Sequence, residues 1–185
     1  KKHYGFLSTA VAATEKTTAA TTVDGTAGYT LSEEKNSWVD FKVTVTETAL
    51  YGIKVKYYTP VSVSGRDIVL SLTVDGKTPY EKAKTLALTR VWKDSGKIKQ
   101  DANGNDLRPT QEEVPTWQEA MFINEQALYD EPYMLYLEAG EHTVRIKIEE
   151  ESAIIAELSL GLDEKAMSYE EYIGQFDEGD YADGE

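Results

Sequence analysis

In the stretch WVDFKVTVT, Val39, Phe41, Val43 and Val45 take every second position, and Asp40, Lys42, Thr44 and Thr46 take the positions between. Successive side chains of a strand point to opposite faces, so this spacing describes a strand with one buried face and one wet one. The alternation returns in YGIKVKYYT, where Tyr51, Ile53, Val55 and Tyr57 oppose Lys54 and Lys56, and in DIVLSLTVDG through Ile68, Leu70, Leu72 and Val74. Leu86 and Leu88 continue it in KTLALTRVW. In HTVRIKIEEE, Val144, Ile146 and Ile148 oppose Thr143, Arg145 and Lys147, and AIIAELSLG adds a last apolar strand. Eight or nine short strands with no helical periodicity before Ser168 predict an all-β fold, an antiparallel β-sandwich.

The connections predict how the strands pair. Four residues, ETAL, separate the first two strands, a hairpin length that makes them antiparallel neighbours. Asp75-Gly76 is a dipeptide that tolerates positive φ in a two-residue turn, and EAGE joins YMLYL to the strand after it as another hairpin.

With 185 residues, 41% of them hydrophobic, the chain is long enough for one domain with a real core and short appendages. Residues 1–28 are expected to be a partly ordered linker or edge strand, because TEKTTAATT is small, Thr-rich and weakly periodic. Residues 29–162 form the sandwich, and 163–185 an acidic linker. In that last segment nine acids stand against one lysine, and Ser168 followed by Glu171 has capping-box spacing, so YEEYIGQF reads as a short helix or as solvated tail. The net charge of −14 repels phosphate backbones and anionic lipid, so nucleic acid is excluded as a partner. No apolar run is long enough for a membrane helix, so direct membrane insertion is not expected. Beginning at Lys1 without Met, the chain is expected to be a fragment of something longer, with any targeting segment removed.

Catalytic signatures are sparse. The histidines are His3 and His142, there is no cysteine, and GxSxG, HExxH and phosphate-cradling glycine loops are missing, so no catalytic residue is assigned and the chain is read as a non-enzyme. The polar stretch DANGNDLRPTQEE carries more information. Counting Asp101 as position 1 sets Asn103, Asn105, the carbonyl of Leu107 and Glu112 at positions 3, 5, 7 and 12, the ligand spacing of a calcium loop. Asp106 stands where that loop needs glycine, and neither flank reads as a helix. The alternative is an NGN turn whose side chains bond their own backbone, so Ca2+ is a candidate cofactor only. Around this stretch lie Trp92, Trp117, Tyr80 and Tyr129, flat rings that either stack on sugar faces or lid the core.

From Arg90 and Trp92, through the spacing of Asp101, Gly104, Asn105, Arg108, Pro109, Gln111 and Glu113, to Trp117 and then Pro132, Tyr136, Leu137, Gly140, His142 and Thr143, the sequence resembles one kind of sandwich in particular. It is similar to the N-terminal carbohydrate-binding-module-like, galactose-binding-type domain of extracellular solute-binding lipoproteins of Gram-positive ABC transporters. The likeness spans about residues 29–176, with "WVDF" opening the paired strands and "SYEEYIGQF" leading toward a following domain. It implies a jelly-roll, galactose-binding-like sandwich displayed outside the cell and anchored through its parent chain. It further implies an oligo- or polysaccharide ligand on edge loops and a downstream domain as partner. The candidate ligand residues are Trp92, Trp117, Asn103, Asn105, Tyr80 and Tyr129. The competing expectation is a spacer or protein-interaction domain that contacts no sugar, and hydrolase activity is a minor third.

Overall fold

A computed structural model describes residues 13–62, 64–123 and 132–162 in full, and residues 4–10 and 163 as backbone. Its first strands are β1 (Tyr4–Ala10), β2 (Ala13–Lys16), β3 (Ala20–Val23), β4 (Thr26–Ser32), β5 (Trp38–Val45) and β6 (Ala49–Tyr58). Then come β7 (Ile68–Val74), β8 (Leu86–Leu88), β9 (Trp92–Ser95), β10 (Lys99–Gln100), β11 (Asp106–Leu107) and β12 (Thr110–Glu113). The chain closes with β13 (Trp117–Met121), β14 (Met134–Leu137), β15 (Gly140–Glu150) and β16 (Ser152–Asp163). Apart from two short 3-10 turns, the regular structure of the described residues is all strand. Residues 164–185, where a short helix after Ser168 or a solvated tail is expected, and Tyr129 lie outside the described residues.

The strands form two antiparallel layers. One runs β13-β6-β16-β4-β3, with β1 also on β16 and β14 also on β6; the other runs β2-β5-β15-β7-β8. Between them sits the core that the alternation predicts: Val39, Phe41, Val43 and Val45 of β5, Tyr51, Ile53, Val55 and Tyr57 of β6, and Val144, Ile146 and Ile148 of β15 are all buried. Three strands of the 1–28 region join the layers, β1 on β16, β2 along β5 and β3 at the end of the order beside β4. The outer face of the five-stranded layer is wet and ion-paired. There the Arg145 guanidinium lies 3.7 Å over the Trp38 ring and meets both oxygens of Asp40 at 2.7 and 2.9 Å.

The structure corrects the predicted pairing. β5 and β6, expected to be hairpin partners, lie in different layers: β5 pairs with β2 and β15, and β6 with β13, β14 and β16. The expected hairpin at EAGE likewise carries the chain from β14 in one layer to β15 in the other. These links are arches over the core. A buried face looks the same in sequence whether the next strand lies beside it or across from it.

The Asp75-Gly76 turn does form as expected, with φ of 50° and 76° and mutual hydrogen bonds between Val74 and Lys77. Its Asp75 carboxylate receives the Thr143 N–H at 2.8 Å and faces His142 Nδ1 at 2.7 Å, while His142 Nε2 faces the Glu138 carbonyl at 2.7 Å. Both ring nitrogens meet acceptors, so both must donate, which only the imidazolium does. The bond to Asp75, then the one to Glu138, outweigh partial burial and hold His142 above its ordinary 6.5. Partial burial pushes Asp75 up, but His142 and the Thr143 N–H prevail and hold it below 3.8. His142 therefore contributes stability in full below pH 6.5 and loses it as pH rises through its raised folded-state value. Asp75 contributes above 3.8 and loses it as pH falls through its depressed one. His142→Gln is expected to flatten the alkaline decline in thermal stability, and an imidazole that titrates at or below 6.5 by NMR would contradict this.

Candidate functional site

At one point the chain leaves the sandwich as a two-stranded ribbon. β9 and β12 pair as Trp92 with Glu113, Lys93 with Glu112, Asp94 with Gln111 and Ser95 with Thr110, and a bond from Val114 N to Val91 O closes the base. β10 and β11 form the tip. Nearly every residue of the ribbon is exposed, and Trp92 at its root is 44% exposed. Beneath the ring lies Gly65, where an added Cβ would sit 3.6 Å from Trp92 Cη2. Its φ of +65° is one that glycine adopts without strain.

The ribbon root is fixed by buried charge. Arg90 and Glu113 are ion-paired with side chains only 2% and 4% exposed. Arg90 also donates to the carbonyls of Arg66 and Pro60, each at 2.8 Å, and Glu113 Oε2 accepts the Ser62 N–H at 2.9 Å. Glu151 is the second hub. Its carboxylate accepts from Ser62 Oγ, Ser64 Oγ and Arg66 Nε, and lies 3.5 Å from Arg90 Nη2. The Ser64 bond leads the effects that hold Glu151 below the ordinary carboxylate value. Glu151 occupies the left-handed region at φ 67°, uncommon for a non-glycine residue, in the turn from β15 to β16. These contacts tie Ser62, Ser64 and Arg66 into a floor from which Gly65 supports Trp92.

The loop at the ribbon tip has the self-bonded geometry. Asp101 Oδ1 accepts the N–H groups of Asn103 and Asn105 at 2.8 and 2.9 Å, and Oδ2 accepts Asn105 Nδ2 at 3.0 Å. The Asn105 amide, then the backbone N–H groups, hold Asp101 low. Leu107 lies in β11, and Glu112 faces Lys93 at 2.8 Å within the β9–β12 ladder. Asp101, Asn105 and Glu112 of the calcium spacing thus have side-chain partners of their own, and among the described residues no three His, Asp or Glu side chains converge as a metal cluster. Asn103 and Asn105 sit at the opposite end of the ribbon from Trp92, up to about 25 Å along it at strand rise.

The other rings are engaged within the fold. Trp117 lies in β13, tilted against Tyr58 at 5.5 Å, and its indole N–H donates to the Val23 carbonyl at 3.0 Å. Tyr80 stacks on Tyr133 at 5.2 Å against the core; burial, then Tyr133, pushes its hydroxyl up to about 12. Of the candidate rings among the described residues, only Trp92 is exposed. Arg90 and Glu113 belong to the pattern that carries the family resemblance, without a role assigned there. Ser62, Ser64, Arg66 and Glu151 lie outside every motif, and no local signal marks them, because loops distant in sequence bring them together.

No family model matches the chain, and no curated protein matches it. Solved structures do. The C-terminal family-6 carbohydrate-binding module of a laminarinase from Zobellia galactanivorans is 10% identical, covers 85% of this chain and 100% of its own, and has a TM-score of 0.49. A family-6 module of the Cellvibrio mixtus lichenase, in complex with cellotriose, is 12% identical over 84% of this chain and 96% of that one, at 0.41. An isomaltodextranase of Arthrobacter globiformis, complexed with panose, is 16% identical over 67% of this chain at 0.34, and the match spans only 16% of that enzyme. Among the described residues no helix is long and apolar enough to cross a membrane.

Proposed function

We propose that the chain is a non-catalytic carbohydrate-binding module whose ligand stacks on Trp92. The observation that carries this is the placement of the ring: a large apolar face, 44% exposed, mounted at the root of a ribbon that buried ion pairs hold in place. Exposing an indole in water is unfavourable, and a rigid exposed ring suits the apolar face of a pyranose at little ordering cost. The nearby carboxylates, Glu113 and Glu151, are engaged by Arg90, Arg66 and serine hydroxyls, which supports binding rather than acid/base chemistry. As part of this reading the module is displayed outside the cell on a larger surface-anchored protein. There it is accessory to a solute-binding component of an ABC transporter and sits beside a downstream domain.

A second reading, a spacer or protein-interaction domain, draws support from Trp117 and Asn105, whose polar groups are satisfied inside the chain. A glycan array and affinity gels separate the two. Trp92→Ala is expected to leave thermal stability unchanged and to weaken glycan binding about tenfold or more. A wild-type protein that binds nothing on a broad panel favours the spacer.

A further inference from the structure

Resting on that reading, we infer that the ligand is an uncharged glycan, held by a strip made of Trp92, Asp94 and Gln111 on one face of the ribbon. Residues directly opposite in an antiparallel pair share a face, and successive residues alternate. The register therefore sorts the ribbon into two chemically different sides. One carries Lys93 and Glu112, ion-paired at 2.8 Å, with Ser95 and Thr110. That side neutralises itself.

The other carries Trp92, Asp94 and Gln111, all exposed, with Glu113 turned to Arg90 at the root. Among the described residues no cation pairs with Asp94; its hydrogen-bond partner there is Gln111 Nε2 at 3.5 Å. Two residues of strand rise, about 6.6 Å, separate Trp92 from Asp94, the scale of one pyranose unit. A sugar stacked on the indole thus places its hydroxyls over a carboxylate and an amide. The carboxylate accepts from two hydroxyl donors, and the amide donates and accepts, so together they suit adjacent sugar hydroxyls. A uronate or sulfated sugar would bring a second negative charge onto an unneutralised carboxylate, in a chain of net charge −14.

The test is affinity electrophoresis in gels containing a neutral polysaccharide (xylan, mannan or soluble β-glucan) or an acidic one (polygalacturonate or alginate). Wild type is expected to be retarded by at least one neutral polymer and by neither acidic one. Asp94→Ala and Gln111→Ala, checked for unchanged melting, are each expected to weaken that retardation about tenfold. Preference for an acidic polymer, or wild-type affinity in both variants while Trp92→Ala loses it, overturns the strip and leaves glycan binding at Trp92 standing. Retention of wild type by no polysaccharide removes the glycan reading, and the strip with it.

Discussion

Arg90→Ala is expected to destabilise the fold by about 3–5 kcal/mol, because it leaves Glu113 as an unpaired charge in a site that is 4% exposed. The carbonyls of Pro60 and Arg66 lose their donor in the same step. Glu113→Ala is expected to approach that range from below, since it frees the Ser62 N–H and leaves the guanidinium only the Glu151 carboxylate at 3.5 Å and its two carbonyls. Against a typical domain stability of about 5–15 kcal/mol, either loss brings the protein close to unfolding. The double variant Arg90→Met, Glu113→Leu removes both charges and is expected to recover part of the loss, not all of it, because the two carbonyls and the amide stay unpaired. Urea denaturation of the three proteins decides the matter: a single-variant loss below about 1 kcal/mol would mean that the ion pair is not the root of the ribbon.

That pair shows where sequence stops informing structure. Alternation identified the inward residues of β5, β6, β7 and β15, because burial of one face is a local property of period two. It could not say which strand lies beside which. The four residues of ETAL close a hairpin or arch over a sandwich equally well, and the structure uses the arch. Asp75-Gly76 was legible because positive φ at two consecutive residues is a local demand. Asp24-Gly25 makes the same turn at φ 48° and 77°, within the segment that composition marks as linker or edge strand.

The candidate site was legible in part. Trp92 and Trp117 are equivalent in sequence, two indoles flanking a polar loop, and what separates them is non-local: the Val23 carbonyl, 94 residues away, takes the indole N–H of one. Asp94 and Gln111 were hidden by register. The tip pairs Lys99 with Leu107, and continuing that register outward would set Asp94 opposite Glu112. The ladder instead slips by one residue and sets it opposite Gln111. A one-residue slip exchanges the two faces of a strand, so the chemistry of the ribbon could not be read before its pairing was known. The calcium spacing left the geometry of its loop open for a related reason. Alternating oxygens in a polar loop also suit an Asx turn, and nearby N–H groups reached Asp101 first.

Phe41→Ala is expected to cost about 3–5 kcal/mol, comparable to the broken ion pair but through packing. Phe41 is fully buried in β5 and meets Tyr29 of β4 edge-on, with ring centroids 6.3 Å apart and planes at 65°, a contact that bridges the two layers. Tyr29 also accepts the Ala13 N–H at 3.0 Å through its hydroxyl, so one ring ties β2 of the five-stranded layer to β4 of the other. Truncating Phe41 opens a void that neighbouring β-branched side chains fill poorly, and it takes the packing partner away from Tyr29. Tyr29→Phe keeps the ring contact and removes only the hydrogen bond, so its expected loss is about 1 kcal/mol. The ratio of the two separates layer packing from tethering of β2. If Phe41→Ala unfolds in urea within about 1 kcal/mol of wild type, the faces of β5 and β4 do not pack on each other as described, and the two-layer core fails at its centre.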